Sequence, residues 1–173
     1  MSTEQDDRSR PDPARGPDHD VPAFERLVEG QRTCMFTTID TDGGLHARPM
    51  TVQALEGPTV WFMAYSDSPK LDQLAGNPQV NLAFVDGDSW VSARGTGALV
   101  DDVAKKEQLW NRFAEAWFQC EASDPRVALI RVDLTGGEYW DAPSRPAQLI
   151  GLAKVLVAGE RPDDGDNAKL DLA

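Results

Sequence analysis

The sequence predicts a mainly β fold of the α+β class: an antiparallel barrel of about six strands with peripheral helices. Stretches with the alternating or β-branched pattern of strands recur along the chain, and most are joined by short turns rich in Gly and Asp. These strands do not alternate regularly with helices, which argues against a doubly wound parallel sheet. The 173 residues, 40% of them hydrophobic, suffice for one domain with a core.

The first half of the barrel is predicted as follows. A short helix at 22–30 ends at Gly30 and leads into the strand TCMFTTID, the hairpin turn TDGG and the strand LHARPMTVQAL. Pro49 cannot donate a ladder hydrogen bond, so this second strand is at an edge, or bulged, at that residue. The strand TVWFMAY follows, and a short helix connects it to the strand QVNLAFV.

The second half begins with the turn DGD and the strand SWVSARGTGALV, whose Val91, Ala93 and Gly95 share one face. A helix capped by Asp101 follows, and its apolar stripe consists of Val103, Trp110, Phe113 and Trp117. The next strand, RVALIRVDLTGGEYWDAP, turns one alternating set inward: Ala128, Ile130, Val132 and Leu134. A last helix is predicted at about 146–157.

The two ends of the chain have a different composition from the middle. Residues 1–20 and 159–173 are rich in Asp, Pro and Arg or Lys, with little that could be buried. Both are predicted to be disordered acidic tails. Residues 21–158 are predicted to form the single folded domain.

Charge and composition exclude several classes of partner. The net charge of −12 argues against a dedicated binder of nucleic acid or of anionic membranes, since both require positive surface. The polar first 20 residues resemble no signal peptide, and no apolar run reaches the roughly 18 residues of a membrane span. We expect a cytoplasmic protein with free thiols at Cys34 and Cys120.

The order Ser68, Pro69, Lys70 is typical of a helix start. Ser68 suits the N-cap and Pro69 the first helical position, whereas Lys70 is unfavourable in the first turn, where the helix dipole prefers acids. A phosphate bound at the helix N-terminus resolves the conflict, and Arg48 on a neighbouring strand can reach the same anion. The alternative is an ordinary capped helix with a solvated lysine and a surface arginine.

The sequence offers few residues for metal binding, nucleophilic catalysis or nucleotide-binding loops. His46 is the single histidine of the predicted domain, so a histidine-rich metal site or a Ser–His–Asp triad is poorly supplied. Neither G-x-G-x-x-G nor G-x-x-x-x-G-K-[ST] occurs. We therefore assign no catalytic residue and no metal site.

The segments ARPMTVQ, WFMAYSDSPKLDQLAGNPQVNLAF, WVSARGTGAL, LWNRFAEAWF and GGEYWDAP together resemble the bacterial general stress proteins of the pyridoxamine-phosphate-oxidase-like flavoproteins. The resemblance covers about residues 21–158. It implies a six-stranded antiparallel Greek-key split barrel that forms a homodimer and holds FMN in a groove between subunits. It departs from the oxidases proper in EYWDAPSRPAQ, which lacks their arginine–histidine substrate motif, so oxidation of vitamin B6 is not expected.

The resemblance also implies roles for individual residues. Arg48 and Lys70 would hold the FMN phosphate, helped by Ser68. Trp90 stands where the oxidases proper carry a glutamine, and Trp140 matches a tryptophan near the flavin at the dimer groove. The remaining matches to cofactor-lining positions are Pro49, Met50, Thr51, Gln53, Met63 and Ala64.

Three functional readings remain open from the sequence, besides a lipocalin-like carrier, against which the charged Arg48 and Lys70 argue. The first is an FMN-dependent oxidoreductase that exchanges electrons with a small-molecule donor or acceptor. The second is a non-catalytic flavin reservoir or sensor. The third is the same barrel with a deazaflavin or haem, and haem is the weaker choice because His46 alone offers an axial imidazole within the domain.

Overall fold

The computed structural model describes residues 26, 28–87, 89–141 and 166–171. The predicted helices at 22–30 and 146–157 lie mostly or wholly outside these residues. Seven strands and three helices are described: β1 (Thr33–Ile39), β2 (Leu45–Glu56), β3 (Thr59–Tyr65), α1 (Pro69–Gly76), β4 (Gln79–Asp86), β5 (Ser89–Val100), α2 (Val103–Leu109), α3 (Arg112–Phe118), β6 (Val127–Asp141) and β7 (Asp166–Asp171).

The strands form one antiparallel sheet in the order β3-β2-β1-β4-β5-β6-β7, and β3 also pairs with β6. The pairing of β3 with β6 closes the first six strands into a barrel. Because β4 returns to lie beside β1, the order β3-β2-β1-β4 is a Greek key. The predicted six-stranded antiparallel Greek-key barrel with peripheral helices is confirmed.

Strand β7 corrects one part of the predicted C-terminal tail. Residues Asp166–Asp171 were expected to be disordered, and they instead pair with Gly136–Asp141 of β6. This half of β6 extends past the end of β3, so it offers a free edge of backbone groups to another strand. The polar sequence of β7 does not predict a strand. Its pairing with β6 uses backbone groups, which require no particular side chains.

Two glycine turns close the predicted hairpins. Between β1 and β2, the Asp40 amide donates to the Gly44 carbonyl (2.8 Å), and Gly43 adopts a left-handed φ of 84°. Between β4 and β5, Asp86 pairs directly with Ser89, and Gly87 in the turn has a φ of 58°. Glycine reaches these angles without a Cβ clash.

The barrel is split along the first half of β2. This strand pairs with β1 from Leu45 to Thr51, but its pairing with β3 begins only at Val52, with a register shift before Ala54. Pro49 therefore lies at an edge, as predicted, and its missing N–H breaks no ladder on that side. The split leaves a groove between β2 and the end of β3.

The core fills the barrel as the alternation predicts. Ile130, Val132 and Leu134 of β6 are buried, as are Val91 and Ala93 of β5. Phe36 and Phe62 meet edge to face inside the barrel, with ring centroids 5.1 Å apart.

The helix predicted after Asp101 is two short helices. Asp102, not Asp101, caps α2 by accepting from the Lys105 amide (2.8 Å). Asn111 then starts α3 by accepting from the amides of Phe113 and Ala114, both at 3.0 Å. Because the side chain of Asn111 satisfies these free amides, a new helix begins there and the predicted stripe is broken.

Lys106 fastens α2 to the loop before β6. It is buried, and its Nζ donates to the carbonyls of Asp124 (3.0 Å) and Val127 (2.9 Å). We expect Lys106→Met to lower the free energy of unfolding by about 2–4 kcal/mol, because two carbonyls lose a charged donor. Thermal unfolding measures this as a midpoint lower by roughly 5–12 °C.

The control for this prediction is Lys105→Met. Lys105 bonds to Glu56 (2.7 Å), whose carboxylate remains in water when the lysine is removed. The control is therefore expected to lower the midpoint less. Equal losses for both variants would contradict the role given to Lys106.

The two thiols are expected to differ in reactivity. Burial raises the pKa of the Cys34 thiol to about 12, whereas Cys120 is only partly buried. Since the thiolate is the reactive form, a disulfide reagent at pH 8 is expected to modify one thiol per native chain and two after unfolding. Cys120→Ser should abolish the native reaction; two reactive thiols in the native protein would contradict the prediction.

Candidate functional site

Helix α1 begins as the sequence predicts. Ser68 is its N-cap residue and Pro69 its first helical residue. The Ser68 hydroxyl makes no capping bond to the helix amides; its Oγ accepts from Nζ of Lys70 instead. The hydroxyl of Ser68 and the ammonium group of Lys70 therefore lie together at the start of α1.

Arg48 reaches this helix from the open edge of β2. Its Nη1 donates to Oγ1 of Thr38 (2.6 Å), and its Nη2 donates to Oε1 of Gln73 on α1 (3.0 Å). Lys70 and Gln73 are three residues apart, so they share a face of the helix. The structure thus brings Arg48, Lys70 and Ser68 into one region, which we call the cationic cluster.

The cationic cluster is short of negative charge. Partial burial lowers the pKa of Arg48, and burial followed by the charge of Arg48 lowers the pKa of Lys70. Within the described part of the chain, neither Arg48 nor Lys70 forms an ion pair with a carboxylate. An anion bound between the two side chains would offset both effects.

A cavity of about 220 Å³ continues the site along β2. It lies in the split of the barrel, with α3 as its second wall. Its described lining combines apolar and neutral polar side chains: Thr33, Pro49, Met50, Thr51, Gln53, Met63, Phe113, Ala114, Trp117 and Phe118. Five of these were named from the sequence, namely Pro49, Met50, Thr51, Gln53 and Met63.

The other three predicted site residues lie elsewhere. Ala64 is buried in the barrel core beside Met63 and is not part of the described lining. Trp90 and Trp140 face each other across β5 and β6 on the outside of the barrel, 44% and 40% exposed. Trp90 and Trp140 are absent from the described lining, and they contact such a cavity only where a second molecular surface places them against it.

The arrangement suits a ligand with an anionic end and a flat apolar body. Arg48 directly precedes Pro49, so β2 joins the cationic cluster to the cavity within one residue. On α3, Phe113 and Trp117 are stacked at 6.2 Å and are 57% and 64% exposed. These rings are a platform on which a planar aromatic group can stack.

Several residues of the site were not found from the sequence. Thr38 and Gln73 hold Arg48, and Asn111 donates to the side-chain oxygen of Gln53 (2.9 Å). No pattern marks them, since a threonine in a strand and a glutamine in a helix are common. Phe113 and Trp117 were recognised as apolar, and their place beside the cavity follows from the break in the helix at Asn111.

A larger cavity, of about 480 Å³, lies against a different face of α1. It contains none of the residues predicted for the site, and its rim carries Asp72, Asp101 and Asp102. These carboxylates repel a phosphate, and its buried Lys106 is already bonded to two carbonyls. The smaller cavity beside the cationic cluster is therefore the candidate site.

Two features are absent from the part of the chain that the structure describes. No helix among the described residues is long and apolar enough to cross a bilayer. The same residues contain no cluster of three or more His, Cys, Asp or Glu side chains that could hold a metal ion.

The six-stranded antiparallel Greek-key barrel, open along the first half of β2, defines the class of split β-barrels. Residues 19–163 match the family described as pyridoxamine 5'-phosphate oxidase like. The chain therefore belongs to the pyridoxamine 5'-phosphate oxidase-like family, as the resemblance implied. None of the curated proteins matches it significantly.

Solved structures agree with this assignment. A candidate general stress protein 26 from Jannaschia sp. CCS1 has the same fold, with a TM-score of 0.74 and 23% identity over 90% of this chain and 99% of that chain. A candidate general stress family protein from Xanthomonas campestris is 30% identical, with a TM-score of 0.65 over 75% and 92% of the two chains. A general stress FMN/FAD binding protein from Xanthomonas citri is also 30% identical, with a TM-score of 0.62 over 71% and 89%.

Proposed function

We propose that the protein is a homodimeric FMN-binding protein of the general stress type. Arg48 and Lys70 hold the phosphate, and the cavity beside β2 holds the ring system. One observation carries this proposal. Strand β2 connects the cationic cluster, whose charges no described carboxylate neutralises, to a mainly apolar cavity. FMN has the two matching parts, a phosphate and a flat ring.

The residues present fit FMN in detail. Arg48, Lys70 and the Ser68 hydroxyl supply donors for a phosphomonoester. The open edge of β2 from Pro49 to Thr51 offers backbone groups to the polar edge of the ring. The Xanthomonas citri relative, described as an FMN/FAD binding protein, supports the same choice of cofactor.

Two observations support a homodimer with flavin at the subunit interface. The cavity of about 220 Å³ is smaller than the roughly 300–1,000 Å³ usual for small-molecule sites, which a wall from a second subunit would explain. The outer face of the barrel carries an exposed apolar patch of Met35, Val85, Trp90 and Trp140, which are cross-strand or diagonal neighbours. Such patches mark protein interfaces.

The cofactor would supply any redox chemistry. A bound flavin exchanges electrons with a small-molecule donor or acceptor. The described lining consists of apolar and neutral polar groups, which bind and orient a ring but transfer no proton. For this reason a non-catalytic flavin reservoir or sensor is the second candidate function.

A flavin titration of the purified protein tests the proposal. We expect FMN fluorescence to be quenched on binding, with affinity at least about tenfold higher than that of riboflavin, which lacks the phosphate. Equal affinities for FMN and riboflavin would contradict the phosphate site, and an absence of FMN binding would contradict the leading function. Anaerobic mixing of the complex with NADH or NADPH then separates an oxidoreductase, which is reduced rapidly, from a reservoir, which is not.

The same titration discriminates between cofactors. A deazaflavin also brings a phosphate and a flat ring, so preferential binding of it would reassign the site. Haem requires an axial ligand, and His46 is half exposed on β2, within 3.3 Å of Asp40, outside the described cavity lining. Haem is therefore expected to give no spectrum typical of histidine ligation.

A further inference from the structure

Arg48 is held by a closed set of hydrogen bonds that the sequence did not reveal. Its Nη1 donates to Oγ1 of Thr38, and that hydroxyl donates in turn to Oε1 of Gln73 (2.6 Å). The same Oε1 accepts from Nη2 of Arg48 (3.0 Å). The guanidinium, the hydroxyl and the amide oxygen therefore form a triangle, and both Thr38 and Gln73 are buried.

The orientation of the Gln73 amide follows from its other end. Nε2 of Gln73 donates to Oδ2 of Asp40 (3.3 Å). A carboxylate can only accept, so the NH₂ group must face Asp40 and the oxygen must face Arg48. The backbone amide of Thr41, bonding to the carboxylate, is the main cause that lowers the pKa of Asp40 and keeps it ionised.

We infer that Gln73 is a positioning residue for the phosphate site: its amide, oriented by Asp40, fixes the Arg48 guanidinium toward the anion that Lys70 also binds. This inference rests on the proposed function and extends it to a residue that does not itself need to touch the ligand. Thr38 completes the arrangement from β1.

The choice of an amide rather than a carboxylate matters for charge. A glutamate at this position would satisfy Arg48 equally well, but it would form an ion pair and neutralise it. The neutral oxygen of Gln73 holds the guanidinium and leaves its positive charge for the ligand. Arg48 has five N–H donors, and the triangle uses one on each of two nitrogens, so others remain for a phosphate.

The position of Gln73 on α1 couples the two cations. Lys70 lies one turn before Gln73 on the same helix, so the bond from Arg48 to Gln73 sets the distance between β2 and the start of α1. Loss of this bond frees a long arginine side chain, and binding must then fix it again at a cost in side-chain entropy.

The test compares FMN with riboflavin in two variants. Gln73→Met keeps the size of the side chain and removes the acceptor, and we expect it to weaken FMN binding about 5- to 20-fold. Gln73→Glu pairs with Arg48, and we expect about 20-fold or greater weakening. Riboflavin affinity should stay within about twofold of wild type in both, because it carries no phosphate. Gln79→Met, at an exposed glutamine, is the matched control and should change neither affinity.

Each outcome decides the inference. A Gln73→Met variant that binds FMN as wild type does would overturn it, as would equal losses for FMN and riboflavin, which indicate a merely structural role. If Gln73→Met does not fold, Gln73→Leu, which also removes the acceptor without adding a charge, gives the same comparison. Failure of the proposed function is distinct, since wild type itself would then bind no FMN.

Discussion

Lys70→Ala is expected to weaken FMN binding by about 10- to 100-fold, because a charged donor to a phosphate contributes about 1.5–3 kcal/mol. Arg48→Met is expected to cost at least as much, since Arg48 can offer two parallel donors. Riboflavin affinity should change little in either variant. The expected signature is therefore a collapse of the difference between FMN and riboflavin, measured by quenching of flavin fluorescence.

The control for these variants is Arg131→Ala. Arg131 lies on β6, is exposed, and forms an ion pair with Asp133 (3.0 Å) outside the described site. This substitution removes one positive charge from the protein without touching the cationic cluster, so FMN affinity should stay near the wild-type value. If Arg131→Ala weakened FMN binding as much as Lys70→Ala, general charge rather than the cluster would be responsible.

Trp90→Glu is expected to convert the proposed dimer into a monomer at micromolar concentration. Trp90 lies at the centre of the exposed patch, opposite Trp140 on β6 and beside Val85 on β4. Buried tryptophans dominate many interfaces, and a carboxylate in that place must also lose its water. We expect the dissociation constant of the dimer to rise by about 100-fold or more, as measured by sedimentation.

Leu99→Glu is the matched control on the same strand. Leu99 is also an exposed apolar residue of β5, but it lies near the far end of the strand and lines the larger cavity instead of the patch. The control should sediment as wild type does. A Trp90→Glu protein that remains dimeric would refute this choice of interface, and a monomeric wild type would refute the dimer itself.

The dimer and the flavin site are expected to depend on each other. If the groove is completed by a second subunit, monomeric Trp90→Glu should bind FMN more weakly, and saturating FMN should strengthen the wild-type dimer. Lys70→Ala, in contrast, should remain dimeric without ligand. This pair of variants separates the loss of a wall from the loss of the phosphate anchor.

Much of the fold could be predicted from the sequence because its signals are local. Alternation along residues 130–134 and the glycine turns at Gly43 and Gly87 depend on neighbouring residues, and the structure confirms them. The same is true of Ser68 and Pro69, whose residue types fit the first positions of a helix. Pro49 indicated an edge for an equally local reason, its missing N–H.

The tertiary structure alone determined what these elements do together. The triangle of Thr38, Arg48 and Gln73 joins β1, β2 and α1, and no spacing in the chain predicts it. The pairing of β7 with β6, through backbone groups of a polar segment, is equally invisible in sequence. The sequence by itself thus determined the strands, turns and helix starts, because backbone geometry and alternation act over a few residues. Contacts between distant segments decided the groove and the orientation of Arg48, because these depend on packing in three dimensions.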